Sequence, residues 1–245
     1  MSTVTEHYEQ LLAPVYMWMV GGADEAFRAA SAELAALALP FAPNDEVVDL
    51  GAGFGSHAIP LARRGARVLA VDSSPLLLDT LAELRGELPI RIVCADLIGF
   101  SAQLAAPPRA VLCMGDTLTH LLDTSAVARL FDEVAAALVP GGAFVLSFRD
   151  YTIPLAQEAR FIPVRSDDHR ILTCFLEYHA TTVRVHDVLH ERANGGWQMR
   201  VSAYTKLRLA PQDVTTMLEA RSFEVRREVG ARGLVRLVSI KREAS

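Results

Sequence analysis

The chain has 245 residues, of which 51% are hydrophobic and 22% are charged, a composition that excludes a disordered, collagen-like or low-complexity protein. Its formal net charge of -5 repels phosphate backbones, so we expect no nucleic-acid partner. The three cysteines are too few for a disulfide framework and form no zinc pattern, so we expect no metal and a reducing, cytoplasmic location.

A helical cap is predicted over residues 1–40. Residues 24–39 place apolar side chains at helical spacing, and Pro40 ends the helix. We expect neither a signal peptide nor a membrane partner, because the start of the chain lacks a basic region and the nearly uncharged run 11–23 is too short to cross a bilayer.

Residues 41–150 are predicted to form an α/β core, because short apolar runs alternate with amphipathic helical patterns. The strands are predicted at 46–50, 67–72, 90–96, 109–116 and 143–148, and the helices at 56–65, 75–86 and 125–138. Continuous apolar strands that alternate with helices are typical of an open, doubly wound parallel sheet covered on both faces.

The pattern changes after residue 150. Two long extended stretches, 170–192 and 197–209, are separated by Asn194-Gly195, which is a strong hairpin signal. We therefore predict that residues 151–210 form an antiparallel β insertion. The chain ends with a predicted helix at 211–221 and two strands at 223–229 and 234–242.

These elements predict a single domain over residues 1–245, with the α/β core at 41–150 and 211–245. Counting the last two strands, we expect a mostly parallel sheet of seven strands with the insertion on its substrate side.

The most informative run is 49–55, DLGAGFG, which lies between the first core strand and its helix. Ligands of open α/β sheets bind at this position. A dinucleotide fingerprint needs a third glycine where Ser56 stands, so a pyrophosphate site and an NAD-dependent dehydrogenase are disfavoured. Gly51 and Gly53 would let the backbone approach a ligand closely, with Asp49 ordering the loop.

Two more acids stand at the ends of successive strands. Asp72 ends the second strand, where a carboxylate can accept hydrogen bonds from both hydroxyls of a ribose. Asp96 ends the third strand. NAD would need the same acid at position 72, so Asp72 alone does not discriminate between ligands.

The D-x-G-x-G-x-G turn and the strand-end acids together resemble motif I of class I S-adenosylmethionine (SAM)-dependent methyltransferases. The resemblance implies a Rossmann-like methyltransferase fold, SAM as cofactor and S-adenosylhomocysteine as product. It places Asp96 at the adenine amine. The cofactor-binding residues that it implies are Tyr16, Asp49, Gly51, Ala52, Gly53, Asp72, Ser73, Asp96, Leu97, Met114 and His120.

Two loops narrow the resemblance to glycine N-methyltransferase-like enzymes. Residues 115–121, GDTLTHL, are similar to a Gly-Asn-Ser-x-x-His-Leu loop, and residues 148–151, FRDY, to a His-Arg-Asn-Tyr segment. The resemblance implies that Arg149 holds the acceptor's carboxylate and that His120 contacts SAM or the acceptor. Asp116 replaces the asparagine of that loop, which favours an amine-bearing or zwitterionic acceptor over an anionic one such as glycine.

Two further segments resemble the same group. Residues 15–21, VYMWMVG, resemble an aromatic segment over the cofactor, with Tyr16 where the group has tryptophan, and the insertion resembles a substrate-covering sheet. The expected substrate residues are Arg149, Tyr151, Tyr178 and Tyr204, and the expected catalytic residues are His120, Arg149 and Asp116.

The function implied by the resemblance is in-line transfer of the SAM methyl group to a small molecule, with N-methylation of an amine or amino-acid-like compound favoured. O- or S-methylation and a non-catalytic SAM-binding regulator stay open. A hydroxyl acceptor would need a base, for which His120 and Asp116 are the candidates. A nucleic-acid methyltransferase is disfavoured because the fourth strand leads into Met114-Gly115-Asp116-Thr117 rather than an Asn/Asp-Pro-Pro-aromatic motif. Whether the protein forms a homodimer stays open.

Overall fold

The computed structural model describes residues 4–193 and 195–243. The helices are α1 (Val4–His7), α2 (Ala13–Met19), α3 (Ala23–Leu37), α4 (Ala58–Arg63), α5 (Pro75–Arg85), α6 (Thr124–Ala137) and α7 (Pro211–Glu219), and a π-helical turn (Tyr8–Leu12) joins α1 to α2. The strands are β1 (Glu46–Leu50), β2 (Arg67–Asp72), β3 (Ile90–Cys94), β4 (Ala110–Cys113), β5 (Ala143–Phe148), β6 (Phe161–Ser166), β7 (Arg170–Tyr178), β8 (Thr182–Ala193), β9 (Gly196–Leu207), β10 (Phe223–Val229) and β11 (Val235–Lys241).

The larger sheet has seven strands in the order β10-β11-β5-β4-β1-β2-β3. The pairs among β1 to β5 are parallel, whereas β11 runs antiparallel to both β5 and β10. The strand order reverses between β1 and β4, which places a ligand crevice at the carboxyl ends of these two strands. The predicted mostly parallel, doubly wound sheet is confirmed.

Helices cover both faces of this sheet because its central strands are apolar on both sides. Val47 of β1 packs in a cluster with residues of α3, α4 and α5, whereas Val48 and Leu50 pack in a second cluster with residues of α6 and α7. Helix α6 begins at an N-cap, since the Asp123 side chain accepts a hydrogen bond from the N–H of Ala126. The core thus holds the carboxyl ends of β1 to β5 in fixed positions.

The smaller sheet has four strands in the order β6-β7-β8-β9, with every neighbouring pair antiparallel. The prediction of one extended stretch over 170–192 is wrong, because the chain turns back after β7 and the N–H of His179 donates to the carbonyl of Thr182. The hairpin between β8 and β9 is confirmed by the pairing of Ala193 with Gly196. Asn194, on which that prediction depended, lies outside the described residues.

The N-terminal segment, residues 4–19, is helical and packs against the smaller sheet. Leu11, Leu12 and Val15 form an apolar cluster with Leu172 and Leu189 of β7 and β8. Helix α1 also contacts β9, and α2 contacts α5 of the core. The segment therefore bridges the two sheets on the side where the carboxyl ends of β1 and β4 lie. None of the helices in the described part of the chain is long and apolar enough to cross a membrane.

Candidate active site

The glycine turn lies directly after β1 and is tied to β2. The N–H groups of Gly51 and Ala52 both donate to the carbonyl of Val71, at 2.8 and 3.1 Å. Gly51 has φ +76°, and a Cβ there would lie 2.4 Å from Cγ2 of Thr117. Only glycine fits this backbone and this space, so the turn approaches the crevice with bare backbone.

A cavity of about 470 Å³ opens beside the turn, and we call it the turn cavity. All but one of the predicted cofactor-binding residues line it, namely Tyr16, Gly51, Ala52, Gly53, Asp72, Ser73, Asp96, Leu97, Met114 and His120. Residues separated by up to 104 positions in the chain are therefore brought together at one edge of the sheet, at the place the glycine turn predicted.

Asp49 is the one predicted cofactor-binding residue that does not line the turn cavity. The side chain is buried behind the turn, outside the walls of the turn cavity. Its Oδ2 has no hydrogen-bond partner among the described residues. Burial raises the pKa of Asp49 to about 6, although His57 acts in the opposite direction. Asp49 thus supports the turn from inside rather than facing the cavity.

Asp72 holds the turn from the end of β2. Its Oδ2 accepts from the N–H of Gly53 and its Oδ1 from the N–H of Ser74, both at 2.8 Å. Burial raises the pKa of Asp72 in spite of these hydrogen bonds. The hydroxyl of Ser74 donates to Glu9 at 2.5 Å, so the N-terminal segment is attached at the rim of the turn cavity.

A second cavity of about 410 Å³ lies between the two sheets, and we call it the inter-sheet cavity. It shares walls with the turn cavity, and the residues that face both are Tyr8, Tyr16, Phe54, Ser56, His57 and Gly115. Of the predicted substrate residues, Arg149, Tyr151 and Tyr204 line the inter-sheet cavity. Tyr178 does not line this cavity: it stands at the end of β7, where the guanidinium of Arg208 lies 5.6 Å from its ring centroid, and its predicted role stays a prediction.

Asp116 occupies the floor of the inter-sheet cavity and is surrounded by donors. Its Oδ2 accepts from the hydroxyl of Tyr151 at 2.8 Å and from Nζ of Lys206 at 2.5 Å. Its Oδ1 accepts from the N–H of Arg149 at 2.9 Å and from the hydroxyl of Thr119 at 3.1 Å. Burial acts to raise the pKa of Asp116, but the charge and hydrogen bond of Lys206 and the hydrogen bond from the N–H of Arg149 outweigh it and hold the pKa below its ordinary value.

Two expectations about Asp116 change as a result. Lys206 compensates its charge, so Asp116 gives no electrostatic reason to exclude an anionic acceptor. Its oxygens are already engaged as acceptors, which opposes a role as general base. Lys206 itself was missed, although it shares a strand face with Tyr204 two positions earlier, and that alternation could have identified it.

His120 lines the turn cavity within an aromatic cluster. Its ring stacks on Tyr204 with centroids 5.4 Å apart and meets Tyr8 edge-on at 5.7 Å. Burial and the nearby Lys206 lower the pKa of His120 to about 3, and its Nδ1 has no hydrogen-bond partner among the described residues. His120 is therefore neutral at physiological pH, and it is a poor base.

Arg149 lies on the wall of the inter-sheet cavity with an exposed side chain. Its guanidinium has no ion pair within residues 4–193 and 195–243, and Asp150 instead accepts hydrogen bonds from Thr152. Arg149 and Asp150 thus form no ion pair with each other. The guanidinium is thus available to an anionic group in the cavity.

Comparisons with known proteins agree with this geometry. Residues 47–142 match the family model described as "Methyltransferase domain". Glycine/sarcosine N-methyltransferase from Halorhodospira halochloris is 28% identical over 108 residues, which cover 43% of this chain and 40% of that protein. Cypemycin N-terminal methyltransferase from Streptomyces sp is 28% identical over 185 residues, 69% of this chain and 73% of that protein.

The match over residues 47–142 identifies the core of the chain as a methyltransferase domain, and the two relatives named above are methyltransferases. The solved structure of the CcbJ methyltransferase from Streptomyces caelestis covers 97% of this chain and 98% of its own, with a TM-score of 0.76 and 23% identity. This likeness extends over both sheets, and it shows the shared fold.

SAM is the cofactor that the resemblance to class I methyltransferases implies, and the residues of the turn cavity fit it. The bare backbone at Gly51 leaves room for the methionyl part, since a Cβ there would meet Thr117. Asp72 and Asp96 present carboxylates at the ends of β2 and β3, where ribose and adenine donors can bind. His120 also lines this cavity, and its Nδ1 is buried without a hydrogen-bond partner among the described residues.

Proposed function

We propose that this methyltransferase transfers the methyl group of SAM to the nitrogen of a small-molecule amine. The observation that carries the proposal is the shared wall: the turn cavity, with the SAM-binding residues, opens against the inter-sheet cavity at Tyr8, Tyr16 and Gly115. A donor in one cavity and an acceptor in the other would face each other in line. In this proposal 41–150 and 211–245 hold SAM, and 151–210 covers the acceptor.

For methyl transfer from SAM, the protein mainly has to align the donor with the acceptor and exclude water. SAM supplies an activated methyl group on a sulfonium, which is already a good leaving group. The N-terminal segment closes both cavities on one side, and a fixed geometry of this kind is where proximity supplies rate. Burial raises the pKa of Tyr8 and of Tyr16, so both phenols stay uncharged and can present their rings to a cationic centre.

The residues that line the inter-sheet cavity indicate the chemical class of the acceptor. Met19, Ile162, Val164 and Leu176 supply apolar surface, and Arg149 supplies a cationic group with no ion pair to the described residues. An amine with an apolar body and an anionic group fits this arrangement. Neither predicted base is suitable as a proton acceptor, because Asp116 is engaged by donors and the pKa of His120 is about 3. The names of the two curated relatives point to nitrogen, since both are N-methyltransferases or act at an N-terminus.

Labelling would test the proposal directly. The protein is incubated with methyl-labelled SAM and a pooled extract of small metabolites, and labelled species are identified by mass spectrometry. Asp72→Ala removes the carboxylate that holds Gly53, whereas Asp213→Ala changes an exposed acid of α7 and serves as the matched control.

We expect a labelled amine with the unchanged protein and with Asp213→Ala, and none with Asp72→Ala. Label on a hydroxyl or a thiol would replace N-methylation by O- or S-methylation. Binding of SAM without any labelled product would favour a regulator, and absence of SAM binding would overturn the assignment of the turn cavity.

A further inference from the structure

A second imidazole lies where the two cavities meet. His57 follows the glycine turn and caps the start of α4, and its ring faces both cavities. Its Nε2 lies 3.4 Å from Oε2 of Glu33 on α3, and its Nδ1 lies 3.3 Å from the hydroxyl of Ser56, which also faces both cavities. The side chain is 15% exposed, so the ring is largely enclosed.

Glu33 is itself held in place by Arg236 of β11, which also binds Glu228 of β10, the edge strand of the larger sheet. Its Oε1 accepts from Nη1 of Arg236 at 3.2 Å, and Arg236 donates to Glu228 at 2.5 and 2.9 Å. A carboxylate held on Nε2 favours the tautomer that carries its proton there, which leaves the lone pair of Nδ1 toward Ser56 and the cavities. Glu33 therefore orients the ring.

The surroundings of His57 favour a proton on the ring. Glu33 of α3 and Asp49 of β1 face it with carboxyl groups, and the one guanidinium of this cluster, on Arg236, is divided between Glu33 and Glu228. Burial acts to lower the pKa of His57, but the two acids outweigh it and raise the pKa above its ordinary value. In its neutral form His57 is therefore a stronger base than His120, whose pKa is lowered to about 3.

An amine acceptor needs such a group. An aliphatic amine resembles the lysine side chain, whose pKa is about 10, so at neutral pH it enters as an ammonium ion without a lone pair. A base must remove one proton before nitrogen can attack. Among the groups on the shared walls, the phenols of Tyr8 and Tyr16 have raised pKa values and stay protonated.

We propose that His57 is the general base of the reaction and that Glu33 is its positioning residue, an inference that rests on the proposed N-methylation. An N–H bond of the ammonium breaks, its electron pair stays on nitrogen, and the proton passes to Nδ1 of His57, directly or through the hydroxyl of Ser56. The nitrogen pair then forms the N–CH₃ bond while the C–S bond breaks with its electrons to sulfur. The product leaves as a methylammonium ion, and the proton leaves the imidazolium to water.

The chain offers a matched control for this pair. His186 and Glu177 form a similar contact, Nε2 to Oε2 at 3.0 Å, on the smaller sheet and outside the walls of both cavities. The first measurement is an NMR titration of the imidazoles in the protein saturated with S-adenosylhomocysteine, with His57→Gln assigning the signal. It requires no acceptor, so it stays informative if N-methylation fails.

We expect the His57 midpoint to lie above the ordinary histidine value and to fall in Glu33→Gln but not in Glu177→Gln. An unchanged midpoint in Glu33→Gln would refute the orienting contact. With the labelled amine isolated as described above, we expect His57→Gln to lose at least tenfold in kcat at pH 7 and to recover toward pH 10, where free amine is abundant.

His186→Gln should keep the pH profile of the unchanged protein, and SAM should bind His57→Gln with an affinity within about threefold, as calorimetry would show. A loss of kcat that is the same at every pH would mean that His57 is only structural. If no amine is methylated at all, the proposed N-methylation and the role of His57 as its base are both refuted. The titration then still shows whether Glu33 shifts the midpoint of the His57 imidazole.

Discussion

At the scale of single residues, Asp49 makes the folded state sensitive to pH. Its pKa is raised by burial from 3.8 to about 6, so between these values the folded state binds more protons than the unfolded chain. Stability must therefore fall as the pH rises through this window. We expect Asp49→Asn to raise the free energy of unfolding at pH 8 by on the order of 2 kcal/mol.

Urea denaturation of the ligand-free protein between pH 4 and pH 8 would measure this effect. Asp213→Asn, an exposed acid, should leave the profile unchanged. If Asp49→Asn lost stability at pH 8, the buried carboxylate would have to be stabilised in the folded protein rather than strained.

The buried pair of Lys206 and Asp116 gives a second prediction. Their side chains are each 9% exposed, so removing one partner leaves the other charge without compensation in the interior. We expect Lys206→Met to cost about 3 kcal/mol of unfolding free energy, and Lys206→Met with Asp116→Asn to cost less than Lys206→Met alone. A double-mutant cycle in urea measures the coupling, and strictly additive costs would argue that the pair does not interact.

At the scale of elements, the N-terminal segment is fastened to the smaller sheet by a buried histidine. His7 contacts Asp187 through Nε2 at 2.9 Å and the hydroxyl of Ser202 through Nδ1 at 2.8 Å. Because Tyr8 follows directly and faces both cavities, loosening this attachment should open them. We expect His7→Leu to increase the dissociation rate of SAM several-fold and to speed hydrogen exchange in residues 4–19.

Stopped-flow dissociation and exchange mass spectrometry would test this expectation, with His169→Leu, an exposed position in the turn between β6 and β7, as the control. Unchanged exchange in His7→Leu would show that the apolar contacts of Leu11 and Leu12 hold the segment without the histidine.

The sequence predicted the elements whose signals are local and missed those set by packing across the chain. The run 49–55 fixed the turn, its flanking strand and helix, and the ligand crevice, because glycines at that place have a backbone cause. The turn between β7 and β8 carries no Gly, Pro or Asn, so 170–192 read as one stretch. Lys206 could not be paired with Asp116 from a distance of 90 positions, and so the charge argument at Asp116 failed.

At the scale of the whole molecule, ligand binding should raise thermal stability selectively. SAM at about 100 times its Kd adds about 2.7 kcal/mol, which for a chain of this length raises the Tm by about 5 to 10 °C. We expect SAM and S-adenosylhomocysteine to raise the Tm and NAD to leave it unchanged. Scanning calorimetry checks this, with Asp72→Ala as the variant that should lose the response. A rise with NAD would revive the dehydrogenase interpretation.

The cytoplasmic location and a homodimer stay predictions.

The stretch that matches the family model, 47–142, carries the glycine turn and the strand-end acids, whereas much of the inter-sheet wall comes from residues 4–37 and from β6 to β9. If SAM binds in the turn cavity and the acceptor in the inter-sheet cavity, as proposed above, donor recognition and acceptor recognition are encoded largely in separate parts of the gene. Mutation in the flanking parts can change what is methylated while the inherited donor site is kept. A lineage built on this plan can acquire new substrates without reinventing its chemistry.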